Sequence, residues 1–354
     1  MPISLASLSL PWSIALFCAC ALVIGVLGTR LTHVVDDLAD RTGLGEALAG
    51  AVLLGATTSL SGSVLSVAAS LDGQAELAVS NAVGGIAVQT LFLTVADMFL
   101  RRVNLEHAAA SIGNLMQGAL LVCMLALILL GSYSPEWTLW SIHPVTPIMV
   151  VAYIYGLKLV NEAQAMPMWN PARTHETRED VPDEQAQQRS LVRLWLTFLV
   201  MALILGVSGW LLQRAATNIS QQTGLGQVAV GVLLTSVTTS LPELVTSIAA
   251  VRRGALTLAV GGIIGGNAYD TLFTAMSDVA YREGSVYHAI SDKTLLWVAI
   301  SLVMTGVLIM GLIRREKHGP GRIGFESVLI FGLYLAGVAM VVFNGAGSAG
   351  GAGT

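Results

Sequence analysis

The chain has 354 residues, 54% hydrophobic, 6% aromatic and only 11% charged, with a mean hydropathy of +0.73. A soluble domain carries about 25% charged residues, so an ordinary water-soluble fold is excluded. With 18 Lys and Arg against 22 Asp and Glu, a net charge of −4 and no basic face, nucleic acid is excluded as a partner.

Apolar runs of about 20 residues, the length that crosses a bilayer, lie near 11–29, 44–70, 74–99, 111–131, 143–160, 191–212, 225–250, 254–279, 294–313 and 324–344. They predict an all-α polytopic membrane protein with ten transmembrane helices. The first run has no positive charge before Arg30 and is long enough to span, so it reads as a retained helix and not a cleaved signal. Between the fifth and sixth runs lies 161–190, a hydrophilic stretch containing HETREDVPDEQAQQR, which reads as a solvated connector. It separates an N-terminal five-helix half (1–160) from a C-terminal one (191–344), with a flexible tail at 345–354. Cys18, Cys20 and Cys123 sit inside apolar runs and read as small buried hydrophobes.

Numbering the loops alternately puts fifteen Lys and Arg on one side, including all those of the connector, and only Arg214, Arg282 and Lys293 on the other. The positive-inside bias makes the connector cytoplasmic and both termini external, in a multi-pass protein of the cell membrane.

Sliding the chain by 181 positions aligns Thr42–Asp97 with Thr223–Asp278 without a gap, and about two dozen positions are identical. TGLG, TTSL, a Gly pair, TLF and a final Asp recur in both copies. The copies start five predicted spans apart, so the second enters the membrane from the opposite side. This is an inverted-topology repeat, an architecture of secondary transporters whose sites lie where broken helices of the two halves meet.

The second copy carries the more telling chemistry. In Thr238-Thr239-Ser240-Leu241-Pro242-Glu243 the proline removes a helix hydrogen bond and frees carbonyls beside hydroxyls and a carboxylate. Downstream, Gly265-Gly266-Asn267-Ala268-Tyr269-Asp270 adds an amide and a second carboxylate. All-oxygen surroundings suit hard cations, and acids within apolar spans are costly enough to be functional by default.

TSLPEL followed by GG-N-x-x-D resembles the alpha-repeat signature of the cation/calcium antiporter superfamily, especially the sodium/calcium exchangers. The resemblance covers nearly the whole chain. It implies ten helices in two inverted five-helix repeats and secondary-active antiport of Ca2+ against Na+ or H+ by alternating access. It also implies ion ligation by Glu243, Asp270, Thr239 and Ser240 in the second repeat and by Thr58, Ser59 and Gln89 in the first. Gly62 stands where the first repeat of the family carries its glutamate, and Gly85 and Gly266 stand at the family's serine positions. Ile86 replaces an Asn, and Gln89 replaces the terminal Asn or Asp of the first repeat. Both carboxylates therefore belong to one repeat, which leaves open a same-fold antiporter for monovalent or other cations, or a non-transporting ion sensor. Restoring Glu at position 62 is expected to raise Ca2+ binding.

No nucleotide loop, nucleophile elbow, HExxH or Cys/His set is present in the sequence, so the expectation is a transporter and not an enzyme. No cofactor is expected. The partners are inorganic cations and the lipid bilayer, with no obligatory protein partner evident. Asp97 and Asp278 each precede an Arg by four residues, Arg101 and Arg282, and read as helical ion pairs. His107 and His288 read as polar boundary residues, Asn81 as a lesser ligand candidate, and Gly261/Gly265 with Gly262/Gly266 as close-packing steps.

Overall fold

The computed structural model describes residues 8–42, 56–98, 100, 104–167, 190–316 and 324–349. In chain order the helices are α1 (Leu10–Thr42), α2 (Leu60–Leu71), α3 (Ala75–Asp97), α4 (Leu105–Ala109), α5 (Ile112–Tyr133), α6 (Val145–Ala165) and α7 (Leu191–Thr223). They continue as α8 (Gln227–Thr239), α9 (Leu241–Arg253), α10 (Leu256–Ala280), α11 (Asp292–Arg314) and α12 (Phe325–Ala349). Among the described residues, six helices are long and apolar enough to cross a membrane, and the bent pair α8–α9 makes a seventh. α6 and α10, of 21 and 25 residues, have spanning length but are less apolar, because they carry Lys, Asn, Gly or Asp inside. The first part of the predicted 44–70 span and most of the connector lie outside the described residues.

Sequence chemistry accounts for the breaks. α8 loosens into a π-helical stretch at Val230–Thr235, and α9 starts with Pro242 in its first turn, so the pair bends by 46° at Ser240. Gly224 and Gly254, at φ 74° and 85°, end α7 and α9 in the left-handed conformation that glycine adopts without a Cβ clash. The Ser111 hydroxyl caps α5 by accepting from the Asn114 N–H at 3.1 Å.

The centre is formed by α2, α3, α8, α9 and α10, packed on α5, α6, α11 and α12. α3 is the most enclosed, with 89% of its apolar window buried, whereas α1 and α7 pair with each other and bury only 17% of theirs. A separate small core joins that outer pair to α2 through Ile24, Leu31, Leu65, Leu205 and Leu212. Their remaining apolar surface, including Leu22, Leu196, Leu199 and Leu203, is exposed as lipid contact requires. Cys20 is buried, but Cys18 and Cys123 are exposed on the apolar exterior, which corrects the expectation that all three are interior.

The expected Asp278–Arg282 ion pair does not form. Asp278 is buried and turned inward: it accepts from the backbone N–H of Val286 at 3.0 Å and of His143 at 2.7 Å, and from the Thr146 hydroxyl at 2.6 Å. Arg282 instead donates to the Trp140 carbonyl at 3.4 Å. Asp97 behaves alike, accepting from the Leu105 N–H at 2.7 Å, while Arg101 lies outside the described residues. A buried carboxylate that satisfies free N–H groups in a chain reversal is worth more than an exposed ion pair. His107 and His288 bond the carbonyls of Arg315 and Ser134 at 2.7 and 2.8 Å, as boundary residues do.

Candidate ion-binding site

The backbone break at Ser240 places Thr239, Ser240 and Glu243 opposite the midpoints of two buried helices, α3 and α10. Together with the start of α2 they enclose a small cavity lined by Ser59, Gly62, Asn81, Gly85, Gln89, Thr239, Ser240, Glu243, Asp270 and Phe273. It has room for about one water-sized particle. Six of the seven ligand candidates read from the sequence line this space. The seventh, Thr58, is buried next to Ser59.

The polar atoms divide into two groups. Glu243 Oε1 and Oε2, Asp270 Oδ1, Gln89 Oε1 and Ser59 Oγ are buried without a hydrogen-bond partner among the described residues. Five such oxygens around one cavity are costly unless something positive meets them. The other group is engaged. Gln89 Nε2 donates to Asp270 Oδ2 at 2.7 Å and to Ser240 Oγ at 3.2 Å, and the Thr239 hydroxyl donates to the Ser236 carbonyl at 3.3 Å. Two carboxylates with neutral hydroxyl and amide oxygens form a hard-cation donor set. Among the described residues no group of three or more His, Cys, Asp or Glu side chains is gathered for a metal, so neutral oxygens must complete any coordination.

Asn81, a lesser candidate from the sequence, has both ends occupied. Its Nδ2 donates to the Gly62 carbonyl at 3.3 Å and Ser66 Oγ at 3.1 Å, and its Oδ1 accepts from the Thr235 hydroxyl at 2.9 Å. It ties α2, α3 and α8 together at the cavity wall. Asn267 likewise links the halves, donating to Thr90 Oγ1 at 3.0 Å. The glycines at the family's serine positions flank the Gln89–Asp270 pair. A Cβ on Gly85 would stand 3.6 Å from Asp270 Oδ2, and one on Gly266 3.6 Å from Gln89 Oε1. Of the overlapping glycine steps, Gly261 and Gly265 face Asn114 and Gln117 of α5, so close packing is the role of that face.

Sequence reasoning missed Phe273. In the sequence its TLF motif is only a repeat anchor, and nothing local says that its ring crosses to Gly62 of the other repeat.

The family model for the sodium/calcium exchanger protein matches residues 12–160 and 193–343. The chain belongs to the sodium/calcium exchanger family. This family consists of exchangers, so the chain is an antiporter-type membrane transporter and not an enzyme. Inner membrane protein YrbG of Escherichia coli (strain K12) is 24% identical over 327 residues, covering 90% of this chain and 95% of that one. Among solved structures, the sodium–calcium exchanger NCX_Mj aligns with a TM-score of 0.60 at 17% identity, covering 94% of this chain and 99% of the other. The H+/Ca2+ exchanger CAX aligns with a TM-score of 0.62 at 13% identity, covering 97% and 91%. At those identities the likeness establishes the shared fold.

Proposed function

We propose that this exchanger-family chain moves Ca2+ against Na+ or H+ by alternating access, through the cavity between α2, α3, α9 and α10. The observation that carries the reading is the set of five buried, unpartnered oxygens around a space of ion size, two of them on Glu243 and one on Asp270. In this reading Glu243 is the principal ion-binding carboxylate and Asp270 the second. Ser59, Thr58, Thr239, Ser240 and Gln89 supply neutral oxygens or hold the carboxylates in place. Both acids ionised carry −2, enough to neutralise one divalent cation.

The same proposal includes ten spans in two inverted halves, 1–160 and 191–344, with alpha-repeats at 42–97 and 223–278. The 161–190 connector lies in the cytoplasm and both termini lie outside, while α12 runs on to Ala349 into the stretch expected to be a tail. Matching hydrogen bonds at the same offset in both repeats support the symmetry: Leu105 N–H to Asp97 and Val286 N–H to Asp278. Inorganic cations and the bilayer are the partners that this mechanism needs.

A second reading, exchange of monovalent cations, is favoured by Gly62. With no carboxylate there, the cavity's five unpartnered side-chain oxygens fall short of the roughly 6–8 that Ca2+ takes.

The test is Ca2+ uptake into proteoliposomes loaded with Na+ and diluted into Na+-free buffer, with Glu243→Gln measured beside it. Uptake that needs the Na+ gradient and vanishes in the variant is the expected result. Wild-type uptake by Glu243→Gln would overturn the site, and absence of uptake by folded wild-type protein would shift the substrate to the second reading.

A further inference from the structure

Gly62 lies within α2 and is not among the glycines with positive φ, so its backbone does not demand glycine. Space does. A Cβ at position 62 would stand 2.9 Å from Phe273 Cε2, 3.5 Å from Phe273 Cζ and 3.6 Å from Thr239 Cβ. The ring cannot readily swing away. Phe273 is only 3% exposed, and Tyr269 meets it edge-on at 6.0 Å and 87°, itself braced by Tyr153 at 6.1 Å. Edge-to-face aromatic pairs of this kind are preferred arrangements, which favours the orientation observed.

The repeat offset makes the consequence specific. Position 62 pairs with Glu243, so the place a first-repeat carboxylate would need is occupied by carbon from the second repeat.

We infer that Gly62 and Phe273 act as one specificity-determining unit, in which the ring walls off one side of the cavity and weakens, without abolishing, its hold on cations of high coordination number such as Ca2+ and Sr2+. This rests on the cavity being the ion site. All the cavity's unpartnered side-chain oxygens then belong to Ser59, Gln89, Glu243 and Asp270, and the carbonyl of Gly62 is taken by Asn81 Nδ2. A direct corollary corrects the simple expectation from the sequence: Glu at position 62 does not by itself restore a two-glutamate site.

Equilibrium binding of radiolabelled Ca2+ to purified protein, with and without competing Na+, tests this in four variants: Phe273→Leu, Gly62→Glu, the Gly62→Glu/Phe273→Leu double, and Glu243→Gln. Phe273→Leu is expected to tighten Ca2+ binding severalfold relative to Na+. Gly62→Glu alone gives no gain and lowers thermal stability. The double variant recovers stability and tightens Ca2+ by roughly tenfold or more, since ligand charge count sets such affinities. If wild type binds too weakly to measure, the appearance of binding in the double variant is the same result.

Two outcomes overturn the inference: Gly62→Glu gaining as much as the double variant, or an unchanged Ca2+/Na+ ratio in Phe273→Leu. Unaltered Ca2+ binding by Glu243→Gln is a different failure, that of the site itself.

Discussion

Gln89 donates its side-chain amide to the Asp270 carboxylate at 2.7 Å, and the two residues stand 181 positions apart, at the same place in the two repeats. Two symmetry-related acids at this distance would repel each other. With Gln on one side, the contact becomes a charge-assisted hydrogen bond that leaves Asp270 Oδ1 and Gln89 Oε1 facing the cavity. The amide thus orients Asp270 while its own oxygen remains available.

Gln89→Leu removes that donor and leaves Asp270 Oδ2 buried and unpaired. The expected cost is about 1–3 kcal/mol of stability, read as a lower thermal midpoint of the purified protein in detergent without added cation. Added Ca2+ or Na+ should protect the variant more than wild type, because an ion then replaces the missing donor. Absence of protection in both proteins would argue against ion binding beside Asp270.

Asp278 belongs to a different class of buried acid. It holds the backbone of His143 and Val286 and the Thr146 hydroxyl. Asp278→Ala strands three donors and is expected to cost roughly 3 kcal/mol or more. Any protein that remains folded should keep its cation affinity, the reverse of Glu243→Gln. A selective loss of affinity at full stability would give Asp278 an ion-conducting role.

Gly209 of α7 lies on the backbone of α2, where a Cβ would come within 2.3 Å of the Ser61 carbonyl oxygen. Gly209→Ala must push α7 away from α2, at about 1–3 kcal/mol for overpacking. Exchange rates in proteoliposomes should fall as the outer pair loses its seat. Gly306→Ala, with no atom within 4 Å of the added methyl, is the control expected to behave as wild type.

Orientation is tested with a single cysteine. In a variant lacking Cys18, Cys20 and Cys123, Ser190→Cys at the end of the connector should react with a membrane-impermeant maleimide only after the cytoplasmic face is opened. Labelling of intact cells would reverse the assigned topology.

Much was legible in the sequence because the bilayer is a demanding solvent. Spanning it takes about 20 apolar residues and a backbone satisfied within the helix, so most helices, the break at Ser240-Leu241-Pro242 and the two costly acids Glu243 and Asp270 stand out locally. The repeat at offset 181 pointed to the residues that gather at the cavity.

What one stretch of chain could not reveal is who meets whom. Asp278 lies one helical turn from Arg282 yet turns inward, because Val286 and His143 present unsatisfied N–H groups there. Asn81 has the composition of an ion ligand but is consumed by Gly62, Ser66 and Thr235. Gly62 reads as a lost carboxylate, and only the packing of Phe273 against it reveals an exchange of charge for volume. Composition and period reflect each segment's own burial, whereas these outcomes depend on close packing between segments far apart in the chain, where displacements of an ångström decide which groups can touch.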